Sequence, residues 1–237
     1  MSSFGWTSCN YDQRTTQEIQ QLIDGHKKQH LFLTFWPGMS KSDFTRVLEM
    51  ENERGNLEDG KFILKVPKET RPNAFPQFDE VDFSIENQES SINLNYKHQD
   101  TKEFHGVLPS GDGQSEYYRY GEIRDFLIKT YNSKYQLIEG DGSYYRVWKI
   151  TKVNRPEKVI RFYYSAYGYE GSYSTSRAPR LSHNQENWIM AECSIDLTYM
   201  TYEEFLRRKR DRQKDDEDWE RRKKDELKQA KKNNNRL

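Results

Sequence analysis

Residues 38–97 carry the pattern that most constrains the fold of this chain. Gly38-Met39-Ser40 leads into a stretch with helical apolar spacing that ends at Gly55, and three segments of alternating apolar residues follow. The alternating residues are Phe62/Leu64/Val66, Val81/Phe83/Ile85 and Ile92/Leu94/Tyr96. Strands that alternate in this way bury one side only. The pattern therefore predicts a helix packed on one face of an antiparallel sheet, and by itself it indicates no catalytic chemistry.

The second half of the chain repeats this order loosely. Tyr120–Asn132 has helical spacing, and strands are predicted near 135–138, 144–151, 158–165 and 188–199. We therefore predict an α+β protein built from tandem helix-plus-antiparallel-sheet repeats, which either share one sheet or form two. The predicted parts are an N-terminal tether or signal remnant over 1–14, a first repeat over 15–105, a linker over 106–119, a second repeat over 120–200 and a charged C-terminal helix over 201–237.

Three shorter segments complete this organisation. Thr15-x-x-Glu18 is a capping box, which predicts a short helix before the first repeat. Leu31–Phe35 is apolar and rich in β-formers, so we expect it to enter the sheet or lie at its edge. Residues 67–79 hold three prolines and predict a loop or an edge-covering arm.

Charge is distributed unevenly along the 237 residues. Residues 203–237 contain 14 Lys or Arg and 10 Asp or Glu, so the tail is mildly basic and the body mildly acidic. Neither imbalance is typical of a protein that binds a phosphate backbone, and we expect no nucleic-acid partner. The sequence also contains no apolar run of the roughly 20 residues that a membrane-spanning helix needs.

The tail predicts a helix that is stable without an apolar stripe. Thr201-x-x-Glu204 is a second capping box, and acid-before-base pairs four residues apart, such as Glu204 with Arg208 and Glu217 with Arg221, favour an exposed helix. Two interpretations stay open. The helix is a solubilising projection, or it is an arm that docks a partner.

Cys9 is the most suggestive functional residue at the start of the chain. Thr7-Ser8-Cys9 resembles the end of a bacterial lipoprotein signal peptide, although Trp6 stands where leucine is usual and the apolar region is missing. The resemblance implies lipidation of Cys9, and the alternative is an ordinary N-terminus with a free thiol. Cys193 alternates with Ile195 and Leu197, which predicts a small buried strand residue.

Catalytic and metal-binding patterns are weak. His26 and His30 are four residues apart, but no third ligand is near and two lysines lie between them, so we predict no metal site. The sequence has no phosphate-binding glycine loop, nucleophile elbow or Cys-x-x-Cys, and we expect no cofactor and no enzymatic activity. A hydrolase assembled from distant residues, for example around His183, is retained as an alternative.

The better binding candidate is the stretch Ala166–Asn187, predicted as a long loop rich in tyrosine, serine and glycine. Tyrosine offers a large amphipathic surface at low entropic cost, and serine and glycine let a loop adapt to a partner. We predict Tyr167, Tyr169, Tyr173 and Arg177 as contact residues. The alternative is that these tyrosines cover the edge of the second sheet.

A family resemblance rests on short motifs over residues 31–200. Gly38-Met39-Ser40 opening a helix before meandering strands resembles small envelope proteins of the SmpA/OmlA and β-lactamase-inhibitor-protein type. Phe126–Tyr131, Trp148, the strand around Ile160–Tyr164 and Ile195-Asp196-Leu197 are similar to uncharacterised secreted lipoproteins of Bacteroidetes. This resemblance implies tandem repeats, a periplasmic or outer-membrane-associated location and noncatalytic binding of a protein partner. A cytoplasmic interaction or immunity-type protein is the first alternative.

Overall fold

The computed structural model describes the backbone of residues 15–66, 80–98, 103–105, 115–170 and 187–234. Its helices are α1 (Thr16–Gly25), α2 (Lys41–Glu53), α3 (Ser115–Lys134) and α4 (Tyr202–Asn234). Its strands are β1 (Lys61–Lys65), β2 (Glu80–Asn87), β3 (Ser91–His98), β4 (Glu103–His105), β5 (Gln136–Glu139), β6 (Tyr145–Ile150), β7 (Lys158–Glu170) and β8 (Asn187–Thr201). The predicted α+β class is confirmed.

All eight strands belong to one antiparallel sheet. The main path runs β1-β2-β3-β8-β7-β6-β5, and β4 pairs with β8 beside this path. The centre joins the two halves of the sequence, because β3 pairs with β8 from Ser91↔Met200 to His98↔Cys193. The sheet is thus shared, and the finer prediction of a tandem repeat stays a prediction.

One face of the sheet is covered by helices, and we call it the helix-covered face. Phe83, Leu94, Trp148 and Phe162 from four different strands are fully buried there. They belong to one apolar cluster with Ile19 and Ile23 of α1, Val47 of α2, and Ile123 and Leu127 of α3. The one-sided alternation read from the sequence is confirmed.

Local capping explains where the first two helices begin. Thr15 Oγ1 accepts a hydrogen bond from the backbone N–H of Glu18 at 3.3 Å, and the Glu18 carboxylate accepts one from the Thr15 N–H at 2.6 Å. Ser40 Oγ likewise caps α2 by accepting from the Asp43 N–H at 3.0 Å. Gly38 has a φ of 74°, a left-handed conformation that favours glycine just before this cap.

The C-terminal helix packs on the opposite face, and only at its start. Phe205 is buried with Val147, Val159 and Met200 in a second, smaller cluster. Glu204 of α4 accepts a hydrogen bond from Ser90 Oγ at 2.8 Å, which ties the first turn to the start of β3. At about 1.5 Å per residue the 33-residue helix is about 50 Å long, and its later turns project beyond the sheet.

Two parts of the sequence prediction were wrong. Leu31–Phe35 forms no sheet strand, because it folds into a tight turn in which Phe32 bridges Phe35 and Leu33 adopts a φ of 44°. The stretch predicted as a loop from Ala166 continues as strand β7 to Glu170, paired with β8. The predicted proline-rich loop over 67–79 lies outside the described residues, as do residues 106–114 of the predicted linker, whereas residues 115–119 belong to α3.

Candidate functional site

The face opposite α1, α2 and α3 is polar, and we call it the polar face. Its residues alternate in sequence with the buried ones, so Asn93 and Asn95 point away from the core that holds Leu94. The same alternation on β7 and β8 places Arg161 and Tyr163, and Asp196 and Thr198, on this face. Beyond the first turns of α4, this side of the sheet is therefore lined by hydrogen-bonding groups.

A pocket of about 430 Å³ lies at the centre of the polar face. The pairings of β3 with β8 and of β8 with β7 bring three strands together at this point, because Asn95 is opposite Asp196 and Asp196 is opposite Tyr163. We call it the central pocket, and its lining residues are Asn93, Asn95, Tyr145, Arg161, Tyr163, Asp196, Thr198 and Arg212.

Arg161 is half-buried on the floor of the central pocket. Its Nη2 donates a hydrogen bond to Thr198 Oγ1 at 3.3 Å. Burial lowers the pKa of Arg161, the neighbouring Arg208 lowers it further, and Asp196 acts in the opposite direction. The guanidinium is thus held among other cations by the fold.

One side of the pocket is bordered by Arg212 of α4 and Tyr145 of β6, and both elements contact Glu139 of β5. Lys209 Nζ donates to Glu139 Oε2 at 2.6 Å, and Tyr145 Oη donates to Glu139 Oε1 at 3.1 Å. Burial by itself would raise the pKa of Glu139, but these hydrogen bonds outweigh it and lower the pKa. The carboxylate of Glu139 is therefore committed to the helix that borders the pocket.

A second depression of about 550 Å³ continues the polar face toward β1. Asn95 lines both depressions, so the two adjoin at β3. Here Lys61 pairs with Asp82, and Lys65 with Glu80, each at 3.7 Å across adjacent strands. Exposed pairs of this kind contribute little stability, so they are free to exchange partners with an incoming surface.

The predicted tyrosine site is only partly within the described residues. The backbones of Tyr167 and Tyr169 lie in β7, opposite Glu192 and Ile189 of β8, so these residues are in a strand and not in a loop. Tyr173 and Arg177 lie outside the described residues, as does Cys9. The binding role of the four residues and the lipidation of Cys9 stay predictions.

The histidines and Cys193 have separate surroundings. His26 follows the end of α1 and stacks on Trp36 with ring centroids 4.6 Å apart, and buried His30 contacts the Ile23 carbonyl at 2.9 Å. Burial lowers the pKa of His30. Cys193 pairs with Ala166 in the sheet register, which confirms its strand position, and His183 lies outside the described residues.

The central pocket was missed in the sequence because its residues are up to about 120 positions apart. Each strand shows its polar alternation locally, but the pairing of β3 with β8 depends on the whole sheet. The only local signal was that Asn93 and Asn95, and Arg161 and Tyr163, occupy the outward positions of predicted strands.

Comparison with protein-family models, with curated proteins and with solved structures finds no match to this chain. Within the described ranges, no three metal-ligating side chains are clustered so that they could hold an ion. No helix in the same ranges has the length and apolar character needed to cross a membrane. The geometry of the polar face is therefore the main basis for a functional proposal.

Proposed function

We propose that this protein is a noncatalytic binding or assembly-support protein that receives a protein partner on the polar face of its sheet. The observation that carries the proposal is the contrast between this face and its reverse. Three helices cover one face, whereas α4 covers only one end of the other, leaving an open, hydrogen-bonding surface with a central pocket.

The rigidity of the support favours this role. The strands that present Asn95, Arg161 and Asp196 are the central strands of the sheet, and the residues between them are fully buried in the helix-covered core. Polar groups held on rigid strands lose little conformational freedom when a partner binds. Such a face suits recognition of a folded surface or of an extended segment.

The order of elements supports the finer hypothesis of tandem repeats. A helix followed by a meander occurs twice, as α2-β1-β2-β3 and as α3-β5-β6-β7-β8, and the last strands of the two series pair at the centre of the sheet. This arrangement is compatible with the resemblance to the β-lactamase-inhibitor-protein type. We keep the envelope location and a lipid on Cys9 as parts of the same proposal.

Site-specific photocrosslinking in the native organism tests the proposal directly. A photoreactive residue placed at Asn95, where the two depressions meet, is expected to trap a discrete protein adduct. The matched control places the same residue at Lys129, which is exposed on α3 on the helix-covered side. Equal adducts at both positions, or none at Asn95, would contradict binding through the polar face.

The location is tested separately by mass spectrometry of the protein from membrane fractions. The envelope hypothesis predicts an acylated N-terminal cysteine derived from Cys9, released only by detergent. An unmodified Cys9 in a soluble fraction would remove the lipid anchor from the proposal without affecting the role of the polar face.

A further inference from the structure

The central pocket has more cationic than anionic groups around it. Arg161 and Arg212 line it, and Arg208 and Lys209 lie near them. The carboxylates of the same region are Asp196, which lines the pocket, and Glu139 and Glu204, which do not. Two of these carboxylates are already committed to partners on α4. Glu139 binds Lys209, and Glu204 accepts from Arg208 Nε at 2.5 Å and Arg207 Nε at 2.8 Å.

The two arginines that line the pocket differ in their environment. Arg161 is half-buried, and among the described residues it donates a hydrogen bond to the neutral hydroxyl of Thr198. Arg212 is exposed on α4, hydrogen-bonds the Tyr145 hydroxyl and forms no ion pair within 4 Å among the described residues. Asp196 is the one carboxylate in the lining itself, so the lining has an excess of a single positive charge.

A buried acceptor in the same pocket is unsatisfied. The Oδ1 atom of Asn93 accepts no hydrogen bond from the described residues. A buried carbonyl oxygen without a donor costs free energy, so turning the Asn93 side chain toward a ligand that donates a hydrogen bond is favoured. The charge and hydrogen-bonding groups of the pocket therefore favour a ligand with one negative group and an adjacent hydrogen-bond donor.

We infer that the central pocket receives the acidic side chain of an extended segment of the partner protein, with its carboxylate between Arg161 and Arg212. This inference rests on the proposed function and names the group recognised. A carboxylate matches the planar fork of arginine and the single excess charge, and a peptide N–H can donate to Asn93 Oδ1 once that side chain turns into the pocket. A phosphate dianion carries more negative charge than the single excess positive charge of the lining. It would also be repelled by the nearby carboxylate of Asp196.

The test uses the full chain and two blocked heptapeptides of glycine and serine, with a central glutamate or a central glutamine. Nuclear magnetic resonance titration should show the glutamate peptide binding about tenfold more tightly, with the largest shifts at the backbone amides of Asn93, Asn95 and Thr198. Inorganic phosphate is titrated in parallel and should bind more weakly than the glutamate peptide.

Three variants sharpen the result. Arg212→Gln should weaken the glutamate peptide about tenfold, and Asp196→Asn should strengthen it several-fold because a competing carboxylate is removed. Arg210→Gln, exposed on the same helix but outside the pocket lining, should leave binding unchanged. Each substitution conserves much of the side-chain volume, and the amide spectrum of each variant reports whether it folds.

The outcome separates this inference from the proposed function. Equal binding of the two peptides, preference for phosphate, or an Arg212→Gln variant that binds normally would overturn the acidic-group inference. If the Asn95 photocrosslink persists in such a case, the polar face still binds a partner through other groups. If the crosslink is lost as well, both proposals fail.

Discussion

The two faces of this sheet are made by the same strands but differ in how far their side chains are buried and in how polar they are. On β7, Phe162 is fully buried against the helices, whereas the next residue, Tyr163, is 46% exposed on the other side. The helix-covered face gains stability from the removal of apolar surface from water. The polar face gains little by comparison, so its composition is free to be set by recognition rather than by folding.

The largest expected difference between the faces is in the stability of neighbouring substitutions. Phe162→Ala leaves a cavity in the helix-covered core and should lower the free energy of unfolding by about 3–5 kcal/mol. Tyr163→Ala removes a half-exposed ring and should cost under about 1 kcal/mol. Urea denaturation of both variants measures the two values. Similar losses would mean that the faces are not distinct.

A buried carboxylate sharpens the comparison, because the helix-covered side is not purely apolar. Glu51 of α2 is 1% exposed and accepts hydrogen bonds from Thr34 Oγ1 at 2.5 Å, Arg54 Nη1 at 2.8 Å and Asn56 Nδ2 at 2.7 Å. Glu51→Ala leaves three donors without their acceptor and should cost about 2–3 kcal/mol in urea denaturation.

Glu51→Gln is the matched control for this site. It keeps the shape and one acceptor oxygen and should lose less than Glu51→Ala. A loss below about 1 kcal/mol for the alanine variant would show that the carboxylate does not hold the turn of residues 32–35 onto α2.

The attachment of α4 to the polar side should depend on acid pH. The hydrogen bond from Arg207 lowers the pKa of Glu204 to about 2, with burial opposing and Arg208 and Ser90 adding to the effect. Because the folded pKa lies below the unfolded value, the stabilisation is complete above about pH 4.5 and is lost as the pH falls toward 2.

The measurement for Glu204 compares the native chain with Glu204→Gln across this pH window. The native chain should be more stable by about 2 kcal/mol at neutral pH, and the difference should disappear near pH 2. A difference that does not change between pH 7 and pH 2 would contradict the role of the ionised carboxylate.

The smallest effect is expected from the projecting end of α4. From Gln213 onward, the side-chain contacts among the described residues lie within the helix. Examples are Lys223 Nζ over the Trp219 ring at 4.6 Å and Arg221 with Asp218 at 2.6 Å. Deletion of residues 214–237 should change the free energy of unfolding by under about 0.5 kcal/mol. A melting temperature that falls by more than about 8 °C in thermal denaturation would show that this end of α4 packs on the rest of the protein.

The sequence predicted what depends on neighbouring residues. The cap at Thr15, the ends of α2 and the alternation of β2 and β3 follow from local hydrogen bonding and from the two-residue period of a strand. The turn at Leu33 was missed because its apolar composition favours a strand, whereas packing of Phe32 against Phe62 and Tyr199 favours the turn.

The candidate site could not be predicted in the same way. Asn93, Arg161 and Asp196 meet only because β8 pairs with β3 on one side and with β7 on the other, and no local pattern specifies that order. The tyrosine-rich stretch was predicted as a binding site because its composition is unusual. The residues of the central pocket, in contrast, occupy ordinary outward positions of strands.

The most direct test of the distinction between the faces is hydroxyl-radical footprinting of two tyrosines in cells and in the purified protein. Tyr163 is 46% exposed on the polar face. Tyr144 is 58% exposed and lies beside Tyr164, a residue on the helix-covered side of the sheet. Binding through the polar face predicts that oxidation of Tyr163 falls several-fold in cells while that of Tyr144 is unchanged. Unchanged oxidation of Tyr163, or equal protection of both rings, would contradict it.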